Sequence, residues 1–300
     1  MEVSIITINY NSSVYTINLV KSILTRVSPQ TKYEIIITDN ASKEDDYKNL
    51  LENIPKDNRI KILKSKINTG FAGGNMNGYL QSSGKYLLFI NNDCECLNDV
   101  LKPLLTFIGK NKKSGLLTAK VLGTDGKYTG THKLFPCLTK NIFGTKVNRL
   151  ILKEQFISPK IPVQKPTKVQ IITGAFMFFD REVFKKIKGF DVSFFLYCEE
   201  EDISKRVWDI GKEVYMIPQA EVFHKSGGSS ESNPHLMNEY YISYKKLIFK
   251  HYNLPYALCM MLIVYIKLLK KITFLQANLS LIKLALIGFP ESSSLRYKQK

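Results

Sequence analysis

Residues 3–11 read V-S-I-I-T-I-N-Y-N, an apolar, β-branched run that ends in polar residues. Such a run is typical of a strand that is buried on both faces of a sheet. Similar runs recur along the first hundred residues, and segments with helical spacing separate them. The predicted strands cover residues 3–8, 34–39, 60–63 and 86–91, and the predicted helices cover residues 14–25, 45–53, 74–81 and about 99–108, the last capped by Asn98 or Asp99. This alternation predicts an α/β domain whose parallel sheet is covered by helices.

Three of the predicted strands end in short polar clusters. In parallel sheets of this kind, ligands bind beyond the carboxyl ends of the strands. The clusters therefore predict a nucleotide or sugar site at one edge of the sheet. The alternative is that they only form turns and cap helices. The three clusters are Asn9-Tyr10-Asn11, Thr38-Asp39-Asn40 and Asn91-Asn92-Asp93.

A glycine-rich segment, N-T-G-F-A-G-G-N-M-N-G at residues 68–78, follows the third predicted strand. It lacks the Gly-Lys-Ser/Thr ending of a phosphate-binding P-loop and the spacing of a dinucleotide-binding motif. Its glycines would let the backbone approach a ligand closely, and the helix after it would offer its N-terminus to an anion. Taken alone, the segment is also compatible with an ordinary turn.

Composition indicates a globular protein with a sizeable core, since 44% of the 300 residues are hydrophobic and 11% are aromatic. The five cysteines are scattered and form no C-x-x-C pair. Together with an N-terminus that does not resemble a signal peptide, they predict free thiols and a cytoplasmic location.

The net charge of +17 is unevenly distributed. Residues 102–188 carry 18 basic and 4 acidic side chains, and residues 231–300 carry 10 basic and 3 acidic ones. Residues 189–230 are acidic, with 8 acidic and 4 basic side chains. This asymmetry predicts an anionic partner, such as a membrane surface, a lipid phosphate or a nucleic acid. The chain contains no recognised nucleic-acid-binding module, so nucleic acid is not expected.

The run Glu199-Glu200-Glu201-Asp202 directly follows the aromatic stretch F-F-L-Y-C at residues 194–198. Adjacent carboxylates raise one another's pKa, so such a run is expected either on a solvated surface or at a catalytic site. An apolar wall before the acids favours the second interpretation, because a general base needs a pKa that approaches neutrality.

Seven motifs in order resemble those of the family 2 inverting glycosyltransferases, and most closely the bacterial rhamnosyltransferase-like branch. The resemblance covers roughly residues 3–230 and implies the GT-A fold, a Rossmann-like mixed sheet, in a catalytic domain of residues 1–232. The motifs are I-I-T-I-N-Y-N, I-I-I-T-D-N-A-S, N-T-G-F-A-G-G-N-M-N-G, Y-L-L-F-I-N-N-D, T-G-A-F-M-F-F-D-R-E-V-F, G-F-D-V-S-F-F-L-Y-C-E-E-E-D and V-F-H-K-S-G-G-S-S.

The resemblance implies a nucleotide-diphosphate-sugar donor and a divalent metal ion. Asp93 and His224 match metal ligands of the family, although the triplet Asn91-Asn92-Asp93 has one carboxylate where relatives have two. Mg²⁺ is compatible with this set, and Mn²⁺ suits a histidine better. Donor-binding positions are expected at Asn9, Tyr10, Asn11, Asp39, Asn68, Gly70, Gly73, Asn77 and Asn92.

The same resemblance assigns roles within the acidic run. Glu199, Glu200 and Asp202 fall on three acidic positions of the family, and the middle one, Glu200, is the expected general base. Glu199 and Asp202 would position it, and Glu201 is expected to face solvent. Arg206 is expected to pair with Asp202 one helical turn away, and Trp208 is expected in the core.

The expected reaction moves a sugar from dTDP-rhamnose or a UDP-sugar to a hydroxyl of a cell-surface glycan or a polyprenyl-diphosphate-linked oligosaccharide. Two alternatives remain: a catalytically weak relative that binds sugar nucleotides, and a nucleotidyltransferase acting on sugar phosphates. His132, His235 and His251 are expected to have no functional role, because no nearby carboxylate or second histidine has ligand spacing.

Residues 233–300 are predicted to form a basic, apolar helical extension. The apolar run at residues 256–266 is shorter than the roughly 20 residues that cross a bilayer. It predicts a helix that lies at the inner face of the cell membrane as a peripheral anchor. The alternative is a helix packed against the catalytic domain.

Overall fold

The computed structural model describes residues 1–152, 157–158, 161–225, 234–273 and 279–299. Within them, eleven strands and ten α-helices are found. The strands are β1 (Val3–Asn9), β2 (Tyr33–Asp39), β3 (Ile60–Lys64), β4 (Tyr86–Ile90), β5 (Cys94–Cys96), β6 (Ser114–Leu122), β7 (His132–Lys133), β8 (Thr167–Lys168), β9 (Ile171–Ile172), β10 (Phe176–Asp180) and β11 (Glu213–His224). The helices are α1 (Ser13–Arg26), α2 (Glu44–Asn53), α3 (Gly70–Leu80), α4 (Leu101–Lys110), α5 (Leu138–Leu152), α6 (Arg181–Lys186), α7 (Glu199–Asp209), α8 (Pro234–His251), α9 (Leu254–Thr273) and α10 (Leu279–Leu286).

One mixed sheet forms the centre of the molecule, with the strand order β3-β2-β1-β4-β10-β6-β11-β5 and β8 beside β11. The first four of these strands are parallel, as the sequence predicted. β10 is antiparallel to both β4 and β6, and β11 is parallel to β6. The carboxyl ends of β1, β2, β4 and β11 therefore lie at the same edge of the sheet.

Helices cover both faces of the sheet. Because side chains alternate along a strand, Ile5 and Ile35 join one buried cluster while their neighbours Ile6 and Ile36 join the other. The first cluster includes residues of α1 and α4, and the second includes residues of α6 and α7. A strand buried on both faces must be apolar at successive positions, which explains the continuous apolar runs in the sequence.

Helix α3 begins at Gly70, four residues before the predicted start. Most of the glycine-rich segment is thus helical and packs against the sheet. A Cβ atom at Gly74 would lie 2.8 Å from Ile8 Cδ1, and one at Gly78 would lie 2.5 Å from Ile6 Cγ2. These two glycines allow the helix to approach β1, and that packing offsets their low helix propensity.

The C-terminal helices pack against the helix that carries the acidic run. Leu247 of α8 contacts Phe194 and Cys198, and Ser243 Oγ donates to the carbonyl oxygen of Leu196 at 2.8 Å. The predicted domain boundary between residues 232 and 233 lies outside the described residues. Among the helices that the structure describes, none has the length and apolar content that a bilayer-spanning segment requires.

Candidate active site

Asn9 and Asp39 end neighbouring strands and are paired in register. Asn9 Nδ2 donates to Asp39 Oδ2 at 2.9 Å and to Asp46 Oδ2 at 2.8 Å, and Asn9 Oδ1 accepts from Thr16 Oγ1 at 2.7 Å. Both polar ends of the Asn9 side chain are thus engaged within the fold. In this geometry Asn9 orients the Asp39 carboxylate, which the sequence predicted as a nucleotide contact.

Tyr10 and Asn11 continue from β1 into the edge of the sheet. The Tyr10 side chain is 45% exposed, so its ring is available to a ligand. Asn11 adopts a left-handed backbone with φ of 51°. Its Oδ1 accepts from the backbone N–H of Lys43 at 2.8 Å, which ties the two neighbouring strand ends together.

The turn before α3 is held by Asn68, whose Oδ1 accepts from Asn40 Nδ2 and from the backbone N–H of Gly70, each at 2.8 Å. Gly70 has φ of +73°, and a Cβ atom there would overlap the carbonyl oxygen of Phe195. That same oxygen accepts from the N–H of Phe71 at 2.8 Å. The glycine-rich turn is therefore joined directly to the loop that carries the acidic run.

Two other predicted donor-binding residues, Gly73 and Asn77, lie on α3, and Asn77 is linked to Asp39 through Ser65, whose N–H donates to the carbonyl oxygen of Asp39 at 2.8 Å. Gly73 is buried, and a Cβ atom there would lie 2.6 Å from the Cβ of Thr69. Asn77 Nδ2 donates to Ser65 Oγ at 3.4 Å. Their role in donor binding stays a prediction.

Asn92 and Asp93 occupy a tight turn after β4, and their side chains have different partners. Asn92 Nδ2 donates to Ser12 Oγ at 2.7 Å and to Thr16 Oγ1 at 2.9 Å, so this amide fastens the turn to α1. Asp93 Oδ1 lies 3.0 Å from His224 Nε2 at the end of β11. The structure thus brings together the two predicted metal ligands, which are 131 positions apart in the sequence.

The donor atoms at this point suit a divalent cation. Asp93, Cys94 and His224 offer an oxygen, a sulfur and a nitrogen within 4.8 Å of one another. However, burial raises the pKa of the Cys94 thiol well above its ordinary value, and Cys94 Sγ lies 3.6 Å from the carbonyl oxygen of Ala175. Hard ions such as Mg²⁺ and Mn²⁺ prefer oxygen donors to sulfur. Among the described residues, Asp93 and His224 are therefore the groups that best fit such an ion, and diphosphate oxygens and water would complete its coordination.

The acidic run forms the first turn of α7, where the helix dipole favours negative charge. Two consecutive residues before it, Tyr197 and Cys198, have left-handed backbones with φ of 70° and 65°. Non-glycine residues seldom adopt this conformation, and such strain concentrates at functional sites. The turn directly follows the loop in which the carbonyl oxygen of Phe195 accepts from the N–H of Phe71 in the glycine-rich segment.

Lys133 of β7 contacts two members of the run, with Nζ 3.0 Å from Glu200 Oε1 and 3.2 Å from Glu201 Oε1. The expectation that Glu201 faces solvent was wrong, because its side chain is only 13% exposed and faces Lys133. Burial would lower the pKa of Lys133, but the two carboxylates raise it above its ordinary value. The lysine thus stays cationic beside the acids.

Burial affects two carboxyl groups of the run. Burial, reinforced by the charge of Glu200, raises the pKa of Glu199 well above its ordinary value. Burial and Glu200 also raise the pKa of Glu201, to about 7. Glu199 Oε2 and Glu201 Oε2 are buried without a hydrogen-bond partner within the described part of the chain. The raised pKa values of Glu199 and Glu201 favour their protonated forms, while Glu200 is ion-paired with Lys133.

Asp202 is fully buried and belongs to a separate ion-pair cluster. It accepts from Arg206 Nε at 2.9 Å, which confirms the predicted pair, and it also lies 2.6 Å from Lys250 Nζ and 2.7 Å from His251 Nε2. Although burial alone would raise the pKa of Asp202, the hydrogen bond from His251 and the charge of Arg206 hold it below its ordinary value. In this structure Asp202 joins α7 to α8, rather than facing the other carboxylates.

Two of the histidines that were expected to have no functional role have defined partners within the fold. Helix α8 brings His251 to Asp202 across 49 positions of sequence, a contact that sequence spacing does not reveal. His132 is buried, with Nδ1 3.3 Å from the Tyr128 hydroxyl.

Trp208 packs against the core as predicted, and its Nε1 donates to the carbonyl oxygen of Gln170 at 3.0 Å.

The segment between β9 and β10 connects the acidic run to the Asp93 turn. β9 contacts α7 and pairs with β7, which carries Lys133. A few residues later, the carbonyl oxygen of Ala175 accepts from the backbone N–H of Asn91 at 3.0 Å.

Sequence reasoning missed Lys133 and Asp46, since neither has a local motif and both reach the site only through the fold.

Comparison with known proteins supports a common family and fold. Residues 4–188 match the model of glycosyl transferase family 2, a match that ends before the acidic run and His224. Among curated proteins, the probable N-acetylgalactosaminyltransferase 6 of Caenorhabditis elegans is 26% identical over 77% of this chain and 38% of its own length. The inactive polypeptide N-acetylgalactosaminyltransferase-like protein 5 of Mus musculus is 25% identical over 76% of this chain and 54% of its own length. The chain thus spans only about two fifths to one half of these relatives.

Solved structures give the same picture. GalNAc-T7, crystallised with UDP, GalNAc and Mn²⁺, aligns with a TM-score of 0.58 and 17% identity, over 83% of this chain and 47% of its own. Residues 1–349 of Staphylococcus aureus TarS with UDP align with a TM-score of 0.53 and 17% identity, over 93% of this chain and 76% of that one. These likenesses confirm the predicted GT-A fold. The family model matches more than half of the residues of this chain. The chain therefore belongs to glycosyl transferase family 2.

Proposed function

We propose that this protein is an inverting glycosyltransferase that uses a nucleotide-diphosphate-sugar donor and a divalent metal ion. The observation that carries the proposal is the pair Asp93 and His224, 3.0 Å apart at the same sheet edge as Asp39. The family match supports the donor class. Asp39 would bind the nucleoside, with Tyr10 beside it.

In the proposed reaction, Glu200 is the general base. It accepts the proton of an acceptor hydroxyl while that oxygen attacks the anomeric carbon of the donor. The bond from this carbon to the diphosphate oxygen breaks, and the nucleoside diphosphate leaves with the bonding electrons. A metal ion bound by Asp93 and His224 would supply positive charge beside the leaving diphosphate. Glu199 is the less suitable base because its side chain is buried, and its raised pKa favours the protonated acid.

The donor is proposed to be a UDP-sugar, with dTDP-rhamnose as the alternative from the sequence resemblance. Both aligned structures contain UDP, which favours uridine. The proposed acceptor is a hydroxyl of a cell-surface glycan or of a polyprenyl-diphosphate-linked oligosaccharide. The basic residues 102–188 and 231–300 support a peripheral position on the inner face of the cell membrane.

A thermal-shift panel tests the donor assignment. UDP, dTDP and GDP are each added with Mn²⁺, with Mg²⁺ or with a chelator, and stabilisation by one nucleotide that depends on metal is expected. If none of the three stabilises the protein under any condition, the proposal is wrong. The anomeric configuration of a transferred sugar, measured by NMR, tests inversion separately.

A second candidate is a catalytically weak relative that binds sugar nucleotides. Two observations favour it: the triplet Asn91-Asn92-Asp93 contains one carboxylate, and one aligned relative is named inactive. This alternative predicts nucleotide binding without hydrolysis of the donor or transfer to any acceptor. Slow, metal-dependent hydrolysis of a UDP-sugar that disappears in Glu200→Gln would exclude it.

A further inference from the structure

Helix α9 has an apolar face that no described part of the chain covers. Leu254, Leu258, Leu262, Ile266 and Leu269 are each between 43% and 61% exposed. Their spacing of three or four residues places them on one side of the helix. With a rise of about 1.5 Å per residue, this face extends for roughly 22 Å.

The opposite side of α9 is apolar too, but it is buried within the protein. Ala257, Met260, Met261 and Leu268 pack there, against residues of α8 and α10. A helix that is apolar around most of its circumference is normally buried on all sides. The exposed face of α9 therefore requires a second apolar environment outside the described chain.

Elements next to α9 also expose apolar side chains. Helix α5 contacts α9, with Asn141 Nδ2 3.4 Å from Met260 Sδ, and it exposes Ile142 and Phe143. At the end of α10, Leu286 and Ile287 are 82% and 64% exposed. Exposed apolar side chains on a monomer are usually scattered singly, whereas contiguous groups mark interaction sites.

The charge of this region indicates what covers it. Residues 254–290 contain four lysines and no aspartate or glutamate. Contact with a second copy would bring these positive segments together without acidic partners. A membrane rich in anionic lipids offers both negative headgroups and an apolar layer, and it is complementary to such a surface.

We infer that α9 lies in the plane of an anionic bilayer, with its exposed leucines in the headgroup and acyl boundary. The positive charge of residues 254–290 would attract the anionic headgroups to this face of the protein. Membrane binding would hold the candidate site beside a lipid-linked acceptor, and this benefit rests on the proposed function. The lipid contact itself does not depend on catalysis.

Vesicle flotation of the full chain tests the inference. We expect binding to phosphatidylcholine vesicles that contain phosphatidylglycerol, little binding to pure phosphatidylcholine, and a loss of binding at high salt. The double variant Leu258→Gln/Leu262→Gln should bind at least about tenfold more weakly, because two buried leucines are lost. The matched control is Leu51→Gln/Leu80→Gln, which changes two exposed leucines of α2 and α3 and should bind like the unchanged protein.

Two outcomes would overturn the inference. One is equal vesicle binding by the double variant and the unchanged protein. The other is a failure of the unchanged protein to bind anionic vesicles. In that case, a dimer in ultracentrifugation that Leu258→Gln/Leu262→Gln dissociates would show that a second copy covers this face. UDP-induced thermal stabilisation of each variant is measured in parallel, so that a failed membrane contact and a failed glycosyltransferase assignment give different results.

Discussion

His251 Nε2 lies 2.7 Å from Asp202 Oδ1, and this contact joins the C-terminal helices to the helix of the acidic run. Lys250 and Arg206 contact the same carboxylate. A buried carboxylate with three cationic or hydrogen-bonding partners fixes the relative position of α7 and α8. The C-terminal helices are therefore part of the support of the candidate site, and not merely an appendage.

Replacing Asp202 with asparagine should destabilise the protein by about 3 kcal/mol, because its cationic partners would remain without a counter-charge. Urea unfolding at neutral pH measures the change. The control is Asp209→Asn, which removes an exposed partner of Lys205 and should cost less than about 0.5 kcal/mol. A similar small effect at both positions would contradict the role assigned to Asp202.

Acidification should weaken the same contact. The pKa of Asp202 is lower in the folded protein than its ordinary value. The stabilisation by the ionised Asp202 carboxylate is thus fully present above its ordinary pKa. It is lost as the pH falls through the pKa of Asp202 in the folded protein. The difference in stability between the unchanged protein and Asp202→Asn should shrink below about pH 4. A difference that stays constant down to acidic pH would show that charge is not its cause.

Glu200→Gln should reduce sugar transfer by about 100-fold or more, since a general base contributes roughly that factor. UDP binding should change little, because the nucleoside contact is assigned to Asp39 on another strand. Glu199→Gln is the matched comparison and should retain most activity. If Glu199→Gln is inactive and Glu200→Gln is active, the base is the neighbouring residue.

Lys133→Met should shift the pH dependence of transfer towards alkaline pH. Lys133 lies beside Glu200 and Glu201, and its positive charge lowers the pKa of Glu201. Without it, carboxylates of the run need a higher pH to ionise. The pH profile of kcat measures this shift, with Lys127→Met, an exposed lysine of the preceding loop, as control. An unchanged profile would argue against a positioning role for Lys133.

Glu199→Gln should also make the protein more stable at alkaline pH. The pKa of Glu199 is raised in the folded state, so its contribution to stability is greatest below its ordinary value and is lost as the pH rises. The glutamine side chain does not ionise, so the variant does not lose this stability as the pH rises. We expect a higher Tm than that of the unchanged protein at pH 8 and a smaller difference at pH 5. Glu95→Gln, at an exposed position of β5, should show no such dependence.

The sequence was sufficient for the parallel half of the sheet, because strands buried on both faces are continuous apolar runs. It also placed Asp39 at a strand end, while the pairing of Asp93 with His224 required the family resemblance. The side-chain partners of Asn9 and Asn92 could not be predicted, since a polar cluster at a strand end looks the same whether its amides face a ligand or helix α1. Lys133 and His251 reach the acidic helix from 67 and 49 positions away, so no local pattern reports them.

Removal of the histidine of the proposed metal site should abolish the effect of metal on nucleotide binding. In the unchanged protein, Mn²⁺ is expected to increase the thermal stabilisation that UDP produces, because the ion would contact both Asp93 and the diphosphate. His224→Ala should weaken metal-dependent UDP binding by about tenfold or more, since even changes to groups that only support a metal ligand cost about that much. Cys94→Ala is the control, because its thiol is buried and lies 3.6 Å from the carbonyl oxygen of Ala175. If Cys94→Ala loses the Mn²⁺ effect and His224→Ala keeps it, the ion is held by the sulfur, and the assignment of His224 is wrong.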